Sequence, residues 1–184
     1  FKHDDGSLYV LLCDGMGSGL EAGQESGLAV RLLEQFLRAG VRPESALKTL
    51  NSALALRGEE TGGFTTVDLL RLDLFTGEAA VYKYGAAPTY VRKGKTVSRI
   101  TGSALPAGLA GGDGAKVRLE AGDWVLLVTD GVAGSDSDLW VRQRFAAFEG
   151  ESPKDLTQAL IDESAGHGGA TDDRTALVLR LEKR

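Results

Sequence analysis

Apolar residues in this chain follow two spacings, and the changes between them divide it into helices and strands. Leu8 to Cys13 is a short apolar run entered from the polar turn Asp4-Asp5-Gly6-Ser7, which predicts a buried strand. From Ala22 to Ala39 the positions Leu28, Leu32, Leu33, Phe36 and Leu37 recur at helical spacing, and Gly40 supplies a stop. A second helix is predicted from Arg42-Pro43-Glu44, where proline suits the first turn, through Ala46, Leu47, Leu50 and Leu54 to about Arg57. Gly58 to Gly63 reads as a polar loop.

At Phe64 the period changes to that of strands. Phe64 to Leu72 and Ala79 to Tyr84 flank a turn at Phe75-Thr76-Gly77; Thr89 to Arg92 and Val97 to Ile100 flank Lys93-Gly94-Lys95. Lys116 to Leu119 is expected to pair, through Ala121-Gly122, with a strand from Asp123 to Thr129. Helices are expected at Ser137 to Phe148 and Pro153 to Ser164, and a last strand at Thr175 to Leu181. The connections between strands are too short for helical crossovers, so the sheets are read as mostly antiparallel, with helix pairs covering them. No internal repeat or low-complexity linker interrupts the pattern.

At 184 residues and 42% hydrophobic, the chain supports one substantial core, and residues 1–184 are read as a single domain. A net charge of -5 without any basic run argues against nucleic acid as a partner. The longest apolar stretches are strand-sized, short of the roughly 20 residues a membrane helix needs, and Phe1-Lys2-His3-Asp4-Asp5 is no signal peptide. The single cysteine, Cys13, excludes an internal disulfide and fits a reducing compartment such as the cytoplasm. It also excludes cysteine-based phosphate chemistry, because no arginine follows to cradle a phosphate in Asp14-Gly15-Met16-Gly17-Ser18-Gly19; Cys13 reads as a small core residue. With only His3 and His167, there is little material for zinc sites or Ser-His-Asp machinery.

Three aspartates stand at strand ends: Asp14 after the first strand, Asp130 after Val125 to Thr129, and Asp172 before the last. Strand ends hold positions rigidly, and carboxylates brought together there repel one another until a cation or proton relieves them. Gly15 and Gly131 follow two of them, allowing a sharp turn that brings main-chain oxygens toward an ion. An Asp-Gly after a strand is most often just a turn. Gly17-Ser18-Gly19-Leu20-Glu21-Ala22 superficially fits a dinucleotide fingerprint, but that motif needs a second parallel strand after the helix, and here a second helix follows. Close backbone approach at a metal explains these glycines better.

Together, Cys13 to Gly19, Val128-Thr129-Asp130-Gly131-Val132 and Thr171-Asp172-Asp173-Arg174-Thr175 resemble, in order, the motifs of the metal-dependent (type 2C, PPM) serine/threonine protein phosphatases, in the branch typified by stage II sporulation protein E. Lys48 to Ser52, Thr65 to Leu69, Leu105-Pro106-Ala107-Gly108, Gly122-Asp123 and Asp138-Leu139-Trp140 extend the likeness over nearly the whole chain. The resemblance implies an α+β fold, an α-β-β-α sandwich of two antiparallel sheets flanked by helix pairs. It also implies two Mn2+ or Mg2+ ions: Asp14 would bridge both, the Gly15 carbonyl would join the first, and Asp130 and Asp172 would complete the second. Gly131 and Asp173 would stand behind these ligands. Asp68 would do the same or face solvent, and Arg174 would meet a phosphate or remain a surface charge.

The implied substrate is a phosphorylated regulatory protein, of the anti-anti-sigma type that controls sporulation. Relatives carry a further acidic residue on a strand upstream of the first Asp-Gly, so we expect a domain lacking its N-terminal strand or strands. The expected parent is membrane-anchored through a region outside this chain. Residues 22–57 lead directly from Asp14-Gly15, which suggests a homodimer contact or switch there. The competing expectation is a phosphatase-shaped regulatory or binding module that does not turn over.

Overall fold

The computed structural model describes residues 1–17, 19–61, 64–102, 105–109, 113–134, 137–167 and 172–183. Ser18, Gly62, Gly63 and Thr171, which belong to the loop and motif readings above, lie outside the described residues. The elements are β1 (Ser7–Leu12), α1 (Leu20–Arg38), α2 (Pro43–Thr61), β2 (Val67–Asp73), β3 (Glu78–Tyr84), β4 (Thr89–Lys93), β5 (Thr96–Ile100), β6 (Asp113–Arg118), β7 (Trp124–Val128), α3 (Asp130–Ala133), α4 (Leu139–Ala147), α5 (Pro153–Ser164) and β8 (Ala176–Arg180). They fall into two compact units, each a four-stranded sheet with helices.

The first unit comprises Phe1–Ala86 with Gly102–Val117, and its sheet runs β1-β2-β3-β6. The β1-β2 and β2-β3 ladders are antiparallel, with Leu11 opposite Leu69 and Leu69 opposite Tyr82. One face of this sheet packs on the helices: Tyr9, Val67, Leu69 and Tyr84 join Ala29, Leu33 and Leu37 of α1 and Ala46, Leu47, Leu50 and Leu54 of α2 in one buried cluster. The helical spacing of these leucines creates that stripe, and each buried leucine contributes about 1.5–3 kcal/mol. Pro43 occupies the first position of α2 as its fixed φ favours. The helix continues beyond the expected end at Arg57 to Thr61, through residues assigned above to a loop.

Alternate residues of the same strands form the other face, and they too are buried: Leu70, Leu72, Ala79 and Val81, with Asp68 and Lys83 among them. Asp68 and Lys83 are register partners, and the Lys83 ammonium donates to an Asp68 carboxylate oxygen at 2.6 Å, both side chains being 1% exposed. The expectation that Asp68 faces solvent is therefore corrected. The hairpin turn determines the pairing, since Asp68 and Lys83 lie equally far from the centre between Phe75 and Thr76. Burial pulls the Lys83 ammonium below its ordinary range, against the opposing pull of Asp68.

The second unit comprises Ala87–Thr101 with Arg118–Arg184, and its sheet runs β5-β4-β7-β8, all antiparallel. Tyr90, Trp124, Leu126 and Val128 pack with Val132, Trp140, Val141, Phe145, Leu156 and Leu160 of α3, α4 and α5. Helix α5 begins with Ser152 accepting the Asp155 N–H at 3.2 Å, followed by Pro153. The expected hairpin between Lys116–Leu119 and Asp123–Thr129 does not form. Strand β6 lies beside β3, whereas β7 has both edges occupied, by β4 and β8. The intervening turn bonds to β8 instead: the Gly122 N–H donates to the Leu181 carbonyl at 2.8 Å and the Leu181 N–H to the Asp123 carbonyl at 2.9 Å.

Removing one member of the buried pair leaves the other charge without its partner. Lys83→Met is expected to lower unfolding stability by about 3–5 kcal/mol, with much of the loss recovered in Asp68→Leu/Lys83→Met, as measured by urea denaturation.

Candidate metal centre

In the first unit, β1 ends at Leu12 and delivers Asp14 two residues later. Its backbone is clamped by the Thr65-Thr66 segment. The Asp14 N–H donates to Thr66 Oγ1 at 3.0 Å, and its carbonyl accepts from the Thr66 N–H at 2.7 Å and from Thr65 Oγ1 at 2.9 Å. Gly15 bridges to Thr65, and the Met16 N–H donates to the Phe64 carbonyl at 2.9 Å. These bonds fix the backbone of Asp14 and leave its carboxylate on a half-buried residue.

Gly15 has no positive φ; the left-handed positions in this segment are Gly17 at +92° and Gly19 at +87°. What Gly15 provides is closeness, because a Cβ there would lie 2.1 Å from the carbonyl oxygen of Ala22 in the first turn of α1. Gly131 does the same in the second unit: its Cβ would lie 2.3 Å from the Asp173 carbonyl oxygen. At both Asp-Gly pairs the glycine allows close backbone approach without a positive φ.

The second unit places Asp130 and Asp172 at adjoining strand ends. In the β7-β8 ladder Val128 faces Ala176, so the chain leaves β7 through Thr129 where Thr175 leads into β8. Thr129 joins these ends three ways. Its N–H donates to the Thr175 carbonyl at 3.0 Å, its hydroxyl oxygen accepts the Thr175 N–H at 3.0 Å, and its hydroxyl donates to the Asp173 carbonyl at 3.2 Å. Asp130 then opens the four-residue α3, whose end is closed by the Gly134 N–H on the Asp130 carbonyl at 2.7 Å. Both carboxylates belong to exposed residues, and each accepts the following main-chain N–H at 3.0 Å, from Gly131 and from Asp173 respectively. Asp173 is also exposed, and its main chain rather than its carboxylate supports the turn.

The other expected residues take definite roles. Asp68 is committed to Lys83 inside the first sheet. Lys83 is the residue that sequence reasoning missed, although the hairpin register signals it. Burial pushes the Cys13 thiol up to about 12, with Asp68 and then Asp14 adding to the effect, so this thiol is no nucleophile at neutral pH. His167 is exposed and lies flat on Trp140, with ring centroids 4.7 Å apart. Arg174 is half-buried, and its Nε has no acceptor.

Among the described residues, no group of three or more His, Cys, Asp or Glu side chains stands ready to hold a metal ion. The donors nevertheless suit one kind of ion. Exposed aspartate carboxylates and main-chain carbonyls are hard oxygen ligands, which fit Mg2+ or Mn2+.

Comparison with known proteins agrees with this picture. Two antiparallel sheets with helices are the α+β architecture of the PP2C, or PPM, phosphatases. A structure of the PP2C phosphatase domain and a regulatory-domain fragment of the cell fate determinant SpoIIE from Bacillus subtilis matches with a TM-score of 0.82 at 28% identity, over 96% of this chain and 58% of that one. The RsbU and RsbW domains of Rv1364c from Mycobacterium tuberculosis share the fold with a TM-score of 0.77 at 19% identity, over 97% and 52% of the two chains. The family model "Stage II sporulation protein E (SpoIIE)" matches residues 4–182, and the chain belongs to that family. Stage II sporulation protein E of Bacillus subtilis (strain 168) is 30% identical over 181 residues, and that of Priestia megaterium 28% over 187. These alignments cover 93% and 96% of this chain but only 22% and 32% of the two relatives. Among the described residues, no helix is long and apolar enough to cross a membrane.

Two outcomes follow from this geometry. Gly131→Ala is expected to cost about 1–3 kcal/mol by forcing the Asp173 carbonyl aside, whereas Gly23→Ala on α1, which meets nothing within 4 Å, should stabilise by about 0.4–1 kcal/mol; thermal unfolding of the two variants reads the opposite signs. Cys13 should alkylate more slowly in native protein at about pH 8.5 than in the unfolded chain, because burial disfavours its thiolate; timed iodoacetamide labelling of the two states reads the difference.

Proposed function

We propose that this chain is the catalytic part of a manganese- or magnesium-dependent protein phosphatase that hydrolyses phosphoserine or phosphothreonine on a regulatory protein. The observation that carries this reading is the pair of exposed carboxylates, Asp130 and Asp172, held at adjoining strand ends by Thr129 in a chain of the SpoIIE family. By correspondence of motifs, the ligand set consists of the Asp14, Asp130 and Asp172 carboxylates with the Gly15 carbonyl. Two ions held by them would supply a water acidic enough to attack phosphorus and positive charge opposite the charge that develops on the phosphate.

The chain's own contribution is positioning. Thr65 and Thr66 fix the backbone of Asp14, and Thr129 fixes the turn that carries Asp130. Such rigidity saves the reorganisation that free carboxylates would need. With Cys13 kept protonated and His167 laid on Trp140, the reading needs no protein nucleophile. The substrate favoured by the resemblance is a phosphorylated anti-anti-sigma factor. Contact between Gly15 and Ala22 supports a regulatory role for residues 22–57, because a shift of α1 would press on the residue next to Asp14; a homodimer through these helices would act at the same place.

Phosphate release from a phosphoserine protein is expected only with manganese or magnesium present. Asp130→Asn should lower it by at least about a hundredfold while leaving the melting temperature within a few degrees. Equal activity of the variant, or no metal-dependent release by the unaltered protein, overturns the reading.

A further inference from the structure

A cavity of about 570 Å3 in the second unit, lined by Arg92, Gly94, Lys95, Ala146, Ala147, Phe148 and Glu149, has no part in the proposed chemistry. Its unusual feature is Arg92, which is 6% exposed. One guanidinium nitrogen, Nη1, donates to the carbonyls of Phe145 at 2.7 Å and Phe148 at 2.8 Å, where α4 ends. The group lies over the rings of Trp124, at 4.7 Å, and Phe145, at 5.2 Å. Among the described residues Nε, itself occluded, has no acceptor, and no carboxylate pairs with Arg92.

Buried arginines are nearly always paired, since an uncompensated charge in a dry setting is costly. Carbonyl dipoles and aromatic faces offset only part of it. A second cation makes the need greater: Arg180 lies over the same Trp124 ring at 5.4 Å. Neighbouring cations of this unit do have acids, Arg180 with Glu151, Lys93 with Asp123, and Arg99 and Arg142 with Asp138. Lys95 does not. It is exposed on the Gly94-Lys95 turn between β4 and β5, at the wall of the cavity that Arg92 also lines.

We propose that this cavity binds a small oxyanion, a phosphate or carboxylate group carried on a short apolar body. Arg92 and Lys95 attract the anion, Ala146, Ala147 and Phe148 receive the apolar part, and the Glu149 carboxylate, which also lines the cavity, limits affinity by repulsion. The site is independent of the phosphatase reading, because Arg92 stands opposite Trp124 at the start of β7 whereas Asp130 follows the end of that strand, and it needs no metal.

The test is titration of the metal-free chain, with chelator present, with propyl phosphate and separately with butyrate, followed by two-dimensional amide NMR. Saturable shifts are expected at Gly94, Lys95 and 146–149; whichever compound binds more tightly identifies the oxyanion. Lys95→Ala should weaken binding about tenfold, and Glu149→Gln should tighten it about twofold. Both residues are exposed, so these variants keep the α4 contacts made by Arg92. Absence of saturable shifts with either compound, shifts confined to other residues, or unchanged affinity in Lys95→Ala overturns the proposal.

Discussion

Pairing of β7 with β8 is the constraint on which the second unit depends. Strand β7 is buried along its whole length and hydrogen-bonded on both edges, to β4 and to β8. A strand so enclosed cannot slip by one residue without turning Leu126 and Val128 out of their cluster. Its register therefore settles where Thr129 falls. Thr129 in turn settles where the chain may turn into α3 and where Asp172-Asp173 must pass. The acidic turn is the exposed end of a rigid core element, which is how a charged surface segment acquires a definite geometry.

The same device recurs on the first sheet with different parts. Asp14 is held by two threonines from a neighbouring segment, Asp130 by a threonine of its own strand, and in each case the following glycine accepts a foreign carbonyl where a side chain would stand. Hydrogen bonding fixes the backbone of the acid, and the missing Cβ lets a second segment close over it. Among the described residues Asp130 enters no ion pair, and the buried ion pair of the first sheet is Asp68 with Lys83. An aspartate already neutralised by lysine has little reason to seek another cation, whereas exposed Asp130 and Asp172 remain available to one.

Much of this was readable from residue order because local rules and global packing agree. The leucines of α1 and α2, Pro43 at a helix start and the Phe75-Thr76-Gly77 turn each announce their element, and each element occurs within a few residues of expectation. The errors arose where a non-local choice overrode a local signal. Ala121-Gly122 is a good hairpin turn by composition, yet β8 competes for β7 and its turn, and β6 joins the other sheet. Asp68 looked solvent-facing because alternation alone does not reveal that both faces of a strand are covered. The three aspartates were recognisable by their position at strand ends; which backbone comes close to Gly15 and Gly131, Ala22 and Asp173 respectively, follows from tertiary packing that residue order does not reveal.

The two units treat a buried cation differently. Lys83 is compact, enclosed and matched by a carboxylate oxygen at 2.6 Å, so the first sheet carries its buried cation as an ion pair. Among the described residues Arg92 is matched only by carbonyls and rings, beside a second arginine and at the wall of a cavity. Capping α4 does explain why a donor is needed there, since the last carbonyls of a helix lack partners. It does not explain a full positive charge, because a neutral amide would satisfy two carbonyls without the desolvation cost of an ion. The surplus is charge rather than hydrogen bonding, and what answers a surplus of positive charge is an anion.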